Sequence, residues 1–489
     1  MSEQSSLNES SALLREPGEE SVAQPPPEVR GSLTQRTLAE WRNLAVLGGP
    51  ILIAQLAQMA NGVIDTVMAG NASATDLAGV AIGSSLWAPL FLLFMGTLNA
   101  LQPIISGHNG ARSQHRIMPV AWQGIHVALG CSVLMIALLT QVRAVLDLLQ
   151  LDSTTAGITQ GYLRAFAWGI PALLLMIAIR GLTDGLGHTR VIMVFSLLQA
   201  GINLPLNYIF IYGKLGLPAM GGVGCGWATA ISLWLALGAL LIYLNSSRVF
   251  RQFHYWPSRQ RPNRVEISRL LRLGIPIGVT IFVEASMFSV VALFLAPLGP
   301  VIVAGHQIAL NVVSVVFMVP LSLGLALTLR ISYLIGAGTP DTARLLARSS
   351  LLLALAVALL FASALFLGRG SIAALYTQDE AVRAVARQLI LFAALFQIAD
   401  VIQVTAISAL RGYRDTRIPL FIMLLSFWGI CLPLGYVLTF TDWLLPAQGA
   451  PGFWVGLTVG LVCASILLTA RLFLYRAQQP QAHREPVSP

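Results

Sequence analysis

The sequence predicts an all-α integral membrane protein with twelve transmembrane helices in two pseudo-symmetric six-helix bundles. Three observations predict this fold. Only 10% of the 489 residues are charged, the mean hydropathy is +0.74, and long apolar runs recur along the chain. Soluble domains carry about 25% charged residues, and an apolar run of about 20 residues spans a bilayer. The runs are continuously apolar rather than alternating, which excludes a β-barrel.

Twelve apolar runs define the predicted spans. They cover roughly 44–68, 77–105, 119–141, 162–179, 191–212, 222–244, 273–297, 303–329, 349–368, 386–409, 418–440 and 451–473. The spans divide the chain into an N-terminal lobe at 41–247 and a C-terminal lobe at 271–475, joined by a basic cytoplasmic linker at 248–270. Residues 1–40 are acidic and rich in proline, so we predict a disordered cytoplasmic tail. Residues 476–489 form a second polar tail.

An internal repeat relates the two lobes. Residues 44–111 align with 270–337 at a shift of 226, without a gap, and share 15 of 68 positions. The match resumes at shifts of 227 and 228, where Gly185 corresponds to Gly412 and Pro205 to Pro433. With six spans in each half, both halves have the same orientation in the membrane. Two such bundles can rock about a central site and expose it to either side in turn, which favours a secondary transporter.

Basic residues predict the orientation. If both termini are cytoplasmic, seventeen Arg residues lie in or beside inner loops, and six basic residues lie in or beside outer loops: Arg143, Arg164, Lys214, Arg369, Arg383 and Arg387. The positive-inside rule therefore places both termini in the cytoplasm. It also explains the net charge of +9 without nucleic acid as a partner.

Other function classes lack their motifs. There is no GxxxxGK[ST] sequence for a nucleotide, so the predicted energy source is an ion gradient or the gradient of the substrate itself. There is no HExxH, GxSxG or paired-Asp motif, which argues against a membrane-embedded enzyme. No cofactor and no firm metal site are predicted.

Three acids lie inside the predicted spans. Asp65 is in the outer part of span 1, Glu284 is near the middle of span 7, and Asp400 is near the middle of span 10. A carboxylate in the hydrocarbon region costs at least a few kcal/mol, so it faces the protein interior and is usually functional. Because no Lys or Arg in the same spans is close in sequence, we expect these carboxyl groups to exchange a proton or to bind Na⁺. The structural alternative is that they bond to helix backbones or to Ser and Thr.

Two amides in span 5 could assist one of these acids. Asn203 and Asn207 are four residues apart and therefore share a helix face. They could satisfy an acid on a neighbouring helix, although Asn between membrane helices more often joins the helices together. His306 in span 8 is interpreted as a packed side chain rather than as a proton relay.

The motifs together identify a family. The stretches GVIDTVMAG, RGLTDGLGHTR, NLPLNYIFIYGK, GGVGCGWATA, IFVEA and ALRGYRDTR resemble the multidrug and toxic compound extrusion (MATE) family, on its bacterial NorM-type branch. The resemblance covers about residues 40–475. It implies multidrug efflux, in which cation-coupled antiport exports cationic, amphiphilic drugs and dyes across the bacterial inner membrane.

The resemblance also assigns roles to residues. Glu284 and Asp400 match the cation-site acids of the second lobe. Asp65 matches the first-lobe acid that is protonated, and Asn203 and Asn207 match the amides around it. Close relatives carry a Tyr one turn before the span-10 acid, where this chain has Phe396. An oxygen ligand for Na⁺ is therefore missing, which favours H⁺ over Na⁺ as the coupling ion.

Two other transporter classes fit the sequence less well. A lipid-precursor flippase of related architecture usually has basic residues in its central cavity, whereas the spans here contain acids. A major-facilitator carrier has an acidic, Arg-rich pattern between spans 2 and 3, and this chain has GHNGARSQHR there. The first comparison favours cationic substrates, and the second argues against a major-facilitator carrier.

Overall fold

The computed structural model describes residues 32–143, 146, 151–247, 250, 260–443 and 445–474. Within these residues every regular element is helical, and eleven helices and one bent helix pair are long and apolar enough to cross a membrane. This confirms the all-α membrane fold. The tail predicted at 476–489 lies outside the described residues, as do residues 1–31 of the other tail and residues 248, 249 and 251–259 of the linker.

The spans are labelled α1 to α12 in chain order. Their bounds are Leu33–Ala72 (α1), Ala74–Gly110 (α2), Gln114–Thr140 (α3), Ser153–Ala167 with Ile170–Gly185 (α4), Thr189–Tyr212 (α5), Gly221–Ser246 (α6), Arg264–Leu298 (α7), Pro300–Gly336 (α8), Pro340–Tyr376 (α9), Glu380–Gly412 (α10), Arg417–Phe440 (α11) and Ala450–Leu474 (α12). Each contains one predicted apolar run, and most extend beyond it.

Two helices begin inside segments that were predicted to be tail and linker. Helix α1 starts at Leu33, within the predicted tail, where Ser32 and Gln35 exchange backbone-to-side-chain hydrogen bonds of 3.1 and 3.3 Å. This is the reciprocal arrangement of a capping box. Helix α7 starts at Arg264, within the predicted linker, and the Asn263 side chain accepts a hydrogen bond of 2.9 Å from the Val265 amide. Polar capping residues therefore set these boundaries.

Proline interrupts two spans. The two parts of α4 meet at 46°, with Pro171 in the first turn of the second part. Proline lacks an N–H and clashes with the preceding turn, so the helix is broken there. In α11 a π-helical segment, Leu425–Cys431, precedes Pro433. The missing proline N–H leaves an earlier carbonyl without its usual partner, which is a common cause of such local widening.

Each half of the chain has its own hydrophobic core. One buried cluster is built from α2 to α6 with Ala69 of α1, and the other from α7 to α12. The first helix of each half takes part in both cores. Leu44 and Ile51, in the early part of α1, belong to the second cluster. Leu270, in the early part of α7, belongs to the first.

Glycines permit this exchange of helices. A Cβ on Gly48 of α1 would lie 3.4 Å from Leu323 of α8. A Cβ on Gly278 of α7 would overlap the Leu93 carbonyl oxygen, and one on Gly274 would overlap that of Thr97. Gly48 and Gly274 are equivalent in the repeat, so the two crossings are related by the same duplication. The α2 and α7 backbones therefore touch, as small residues at membrane-helix interfaces allow.

The ends predicted to be cytoplasmic join the two halves most tightly. Arg330 of α8 forms two hydrogen bonds of 2.7 Å with the carboxylate of Glu40 in α1, which is 5% exposed. The Ser106 hydroxyl of α2 donates to the Leu329 carbonyl at 2.7 Å. A Cβ on Gly336 would overlap the Gly107 carbonyl oxygen. A bidentate ion pair and backbone contact hold α1 and α2 to α8 here.

Candidate functional site

Asp65 is the centre of a hydrogen-bond network in the N-terminal lobe. Asn207 of α5 donates to its Oδ1 at 2.6 Å, and the Thr229 hydroxyl of α6 donates to its Oδ2 at 3.2 Å. Asn207 also donates to Asn203 Oδ1 at 2.8 Å, and Asn203 donates to Thr229 at 3.2 Å. The structure thus brings Asp65 together with both amides predicted to lie near it. Three helices therefore meet at one carboxylate whose two oxygens both accept hydrogen bonds.

A second polar contact lies one turn earlier on α1. The Asn61 side-chain amide donates to Gln199 Oε1 of α5, and Gln199 donates to the Ser232 hydroxyl of α6 at 3.2 Å. Two acceptors in this region have no donor: Asn61 Oδ1 and Asn207 Oδ1 are buried and unpaired. A protonated carboxyl group donates a hydrogen bond, and a buried acceptor without a donor beside it can receive that bond.

Asp400 and Glu284 form the corresponding feature of the C-terminal lobe. Asp400 is 2% exposed, and its Oδ2 has no hydrogen-bond partner. The two carboxyl groups are close enough to interact electrostatically. Glu284 also interacts with Arg411, at the end of α10, but not as an ion pair within 4 Å. Arg411 is distant from Glu284 in sequence and near it in space, so the lack of a basic residue close in sequence did not exclude this interaction.

Unpaired amides surround this second site. Gln397, fully buried on α10 beside Asp400, has partners for neither its oxygen nor its nitrogen. Gln403 has no donor for its Oε1, and its amide reaches only the sulfur of Met423, at 3.2 Å. Buried polar groups normally have partners. Several buried polar atoms on α10 near Asp400 therefore lack a partner within the described protein, and a proton, a cation or water could satisfy them.

An aromatic layer lies one turn from the acids. Phe396 and Phe288 are each one helical turn from Asp400 and Glu284, and their ring centroids are 6.1 Å apart. Phe396 also meets Trp454 of α12 at 5.9 Å, and the Trp454 indole donates to His306 Nδ1 at 3.2 Å. His306 is buried and packed, as the sequence analysis expected, but its Nε2 has no partner.

A buried ion pair was not predicted. Arg180 and Asp184, both in α4, form a bond of 3.1 Å. Gln102 of α2 donates to Asp184 at 3.3 Å, and Arg180 donates to Gln55 of α1 at 3.0 Å. The sequence analysis assigned Arg180 to an inner loop. The spacing of four residues between opposite charges is the signal that would have shown the pair.

The structure thus groups the predicted residues in two sites, one per lobe: Asp65 with Asn203 and Asn207, and Glu284 with Asp400. Sequence reasoning missed Thr229, Gln397 and Arg411. Among the described residues, no group of three or more His, Cys, Asp or Glu could hold a metal ion. A cation at the second site would depend on two carboxylates and neighbouring amide oxygens.

Twelve spans in two repeated lobes, each with its own membrane-embedded carboxyl site, define a polytopic membrane transporter rather than an enzyme. Comparison with known proteins identifies its family. The MatE family model matches residues 50–209 and again residues 276–437. The two matches start 226 residues apart and end 228 residues apart, which agrees with the predicted repeat.

Similar proteins and a solved structure agree with this family. The chain is 43% identical to the probable multidrug resistance protein NorM of Shewanella oneidensis over 447 residues, 91% of this chain and 96% of that one. It is 44% identical to multidrug resistance protein PmpM of Pseudomonas aeruginosa, over 89% of this chain and 92% of that one. The crystal structure of the eukaryotic MATE transporter AtDTX14 has the same fold, with a TM-score of 0.81 at 20% identity over 90% of this chain and 97% of that one. The chain belongs to the MATE family of transporters.

Proposed function

We propose that this transporter is a multidrug efflux antiporter that exports cationic, amphiphilic compounds across the bacterial inner membrane in exchange for protons. Relatives at 43% and 44% identity are named multidrug resistance proteins, which supports drug export. The observation that carries the coupling mechanism is that, among the described residues, the partly buried Asp65 and Glu284 and the buried Asp400 have no ion pair within 4 Å. Each of these carboxyl groups can therefore change its charge without breaking a direct ion pair.

In the N-terminal lobe, protonation of Asp65 would exchange hydrogen bonds. The ionised carboxylate accepts from Asn207 and Thr229. A protonated carboxyl group must instead donate one bond, and the Asn207 oxygen is buried without a donor. Rotation of this amide would supply that acceptor while releasing the bond that Asn207 now donates. The contact between α1 and α5 would then depend on the proton.

In the C-terminal lobe, one proton would separate two interacting acids. Glu284 and Asp400 repel each other when both are ionised, and the Gln397 amide beside them is unpaired. A bound proton, or a cation with oxygen ligands, relieves this repulsion. Phe396 contributes no oxygen next to Asp400, which is the reason for preferring H⁺ to Na⁺.

Acids also suit the proposed substrates. A cationic, flat, lipophilic molecule would be attracted by a carboxylate and could stack on a partly exposed aromatic side chain such as Phe288. A carboxylate that binds a proton loses the negative charge that attracts the drug cation. Competition for that charge would make exchange obligatory, because proton binding favours release of the drug.

The test uses purified full-length protein in liposomes loaded with a fluorescent cation such as ethidium. A pH gradient and a Na⁺ gradient are imposed separately. We expect dye movement with the pH gradient in sodium-free buffer. The triple variant Asp65→Asn, Glu284→Gln and Asp400→Asn should insert but show no gradient-driven movement.

The matched control is Asp341→Asn, which removes an acid that is 90% exposed at the start of α9. It should transport like the unmodified protein. Dye movement that requires Na⁺ and does not respond to the pH gradient would show that the coupling ion is Na⁺ rather than H⁺. Undiminished transport by the triple variant would refute carboxyl-based coupling altogether.

A further inference from the structure

A groove opens on the lipid-facing surface of the C-terminal lobe, between α9 and α10. Its volume is about 350 Å³, and it is lined by Leu359, Ala362, Ser363, Phe366, Leu367, Leu391, Ala394, Leu395 and Ile398. Leu367 is 80% exposed and Leu395 is 54% exposed. All of the lining except Ser363 is apolar, so water is a poor occupant and the bilayer must fill it.

One end of this groove carries an arginine without an ion pair. Arg369 follows Phe366 by three residues and so lies on the same side of α9. Its guanidinium carbon is 4.8 Å from the centre of the Phe366 ring. Within the described part of the chain, this contact with Phe366 is the one interaction that Arg369 makes. The nearby basic residues of α10 differ, because Arg383 and Arg387 both pair with Glu380.

The stacking geometry leaves the hydrogen-bonding groups of Arg369 available. A guanidinium that lies over an aromatic ring uses its face, whereas its five N–H donors point outward in its plane. Those donors match the oxygens of a phosphate. A phosphate bound there would sit at the end of an apolar channel that begins with Phe366.

We propose that this groove, lined by residues of α9 and α10, binds one acyl chain of an anionic phospholipid whose phosphate is held by Arg369. The lipophilic cations proposed as substrates also favour apolar grooves. The positive charge of Arg369 repels them, however, and no described acid lines this groove. The site is therefore separate from the carboxyl sites that face the lobe interior.

Native mass spectrometry of the full-length protein in mild detergent tests this. Phosphatidylglycerol is added, and phosphatidylcholine with the same acyl chains is the comparison lipid. We expect the unmodified protein to bind one more phosphatidylglycerol than Arg369→Gln does, or to bind it about tenfold more tightly, as loss of a charge-assisted hydrogen bond implies. Ser363→Trp, which fills the groove from an exposed position, should remove the binding of the same lipid.

Arg143→Gln is the matched control, because it removes an exposed cation from the side of the membrane on which Arg369 is also predicted to lie. It should leave lipid binding unchanged. Equal phosphatidylglycerol binding by Arg369→Gln and the unmodified protein would overturn the proposal. Equal binding of both lipids to the unmodified protein would also overturn it, because the headgroup would then play no part. Displacement of the lipid by ethidium in proportion to its concentration would make the groove a drug site instead.

Discussion

The two carboxyl sites differ in how completely their polar atoms are paired. In the N-terminal lobe, both oxygens of Asp65 accept hydrogen bonds from side chains of α5 and α6. In the C-terminal lobe, Asp400 Oδ2 and both polar atoms of Gln397 have no partner. Each half therefore has an acid within its spans, but the two acids are not equivalent in the repeat, because Asp65 aligns with Val291 at the shift of 226. Protonation of Asp65 must therefore displace hydrogen bonds that are already made, whereas Asp400 has an oxygen that accepts none.

This difference predicts that replacing Asp by Asn lowers the stability of the protein at the first site but not at the second. Asp65→Asn and Asp400→Asn should both abolish gradient-driven dye transport. Asp65→Asn should also lower the thermal unfolding midpoint in detergent, because its amide keeps only one acceptor oxygen and leaves one of the two donors unsatisfied, at about 1–3 kcal/mol. Asp400→Asn removes a carboxyl group that interacts with Glu284, so its midpoint should equal or exceed that of the unmodified protein.

Asp341→Asn serves as the control for both measurements, since it changes the charge of an exposed side chain only. If Asp400→Asn were destabilised as strongly as Asp65→Asn, Asp400 would have stabilising partners comparable to those of Asp65. The contrast between the lobes would then be lost.

The next largest effect concerns the place where the lobes join. Arg330→Gln leaves the Glu40 carboxylate, 5% exposed, without its bidentate partner. Removing one member of a buried pair costs about 3–5 kcal/mol. We expect the lower part of that range, because the Arg330 side chain is 23% exposed. Denaturation in detergent measures it.

The matched substitution is Arg344→Gln, which breaks an exposed pair with Asp341. Exposed pairs contribute about 0–1 kcal/mol, so this variant should unfold almost like the unmodified protein. Equal effects of the two substitutions would mean that the pair between α1 and α8 adds nothing to the contact of the lobes.

A smaller effect tests the paired site alone. Thr229→Val removes the hydroxyl that donates to Asp65 at 3.2 Å. Because this bond favours the ionised carboxylate, its loss should move the midpoint of the pH dependence of dye transport upward. A hydrogen bond of about 1 kcal/mol corresponds to about 0.7 pH units. Thr66→Val is the control, since the neighbouring Thr66 hydroxyl bonds only to the Gly62 carbonyl of its own helix. A downward movement, or equal movement in both variants, would contradict a direct role of Thr229.

The sequence predicted the spans and the acids because both depend on local composition. Continuous apolar runs are visible in any window, and Asp65, Glu284 and Asp400 stand out within them. It did not predict the start of α1, although Ser32 and Gln35 have the spacing of a capping box. Nor did it predict that Leu44 and Leu270 belong to the opposite cores. Surfaces that face lipid and surfaces that face another helix are equally apolar, so hydropathy cannot distinguish them.

Contacts between distant residues were also beyond sequence reasoning. Thr229 lies in a stretch rich in glycine and alanine, with nothing to mark it as a partner of Asp65. Arg411 was assigned to an inner loop by its position at the end of a span, and only the packing of α10 against α7 brings it to Glu284. Asn203 and Asn207 were found because their spacing of four residues puts both on one helix face.

The smallest expected effect concerns the ion that the unpaired site accepts. Phe396→Tyr places a hydroxyl one turn from Asp400, among Phe288, Trp454 and the unpaired Gln397. An added oxygen ligand favours a hard cation, so Na⁺ should now increase dye transport a few-fold in liposomes without a pH gradient. Phe392→Tyr is the control, because it adds the same hydroxyl one further turn away along α10. If Na⁺ stimulated the unmodified protein as strongly as Phe396→Tyr, the missing hydroxyl would not determine the ion. If neither variant responded while proton-driven transport continued, the site would bind protons for reasons other than the number of its oxygen ligands.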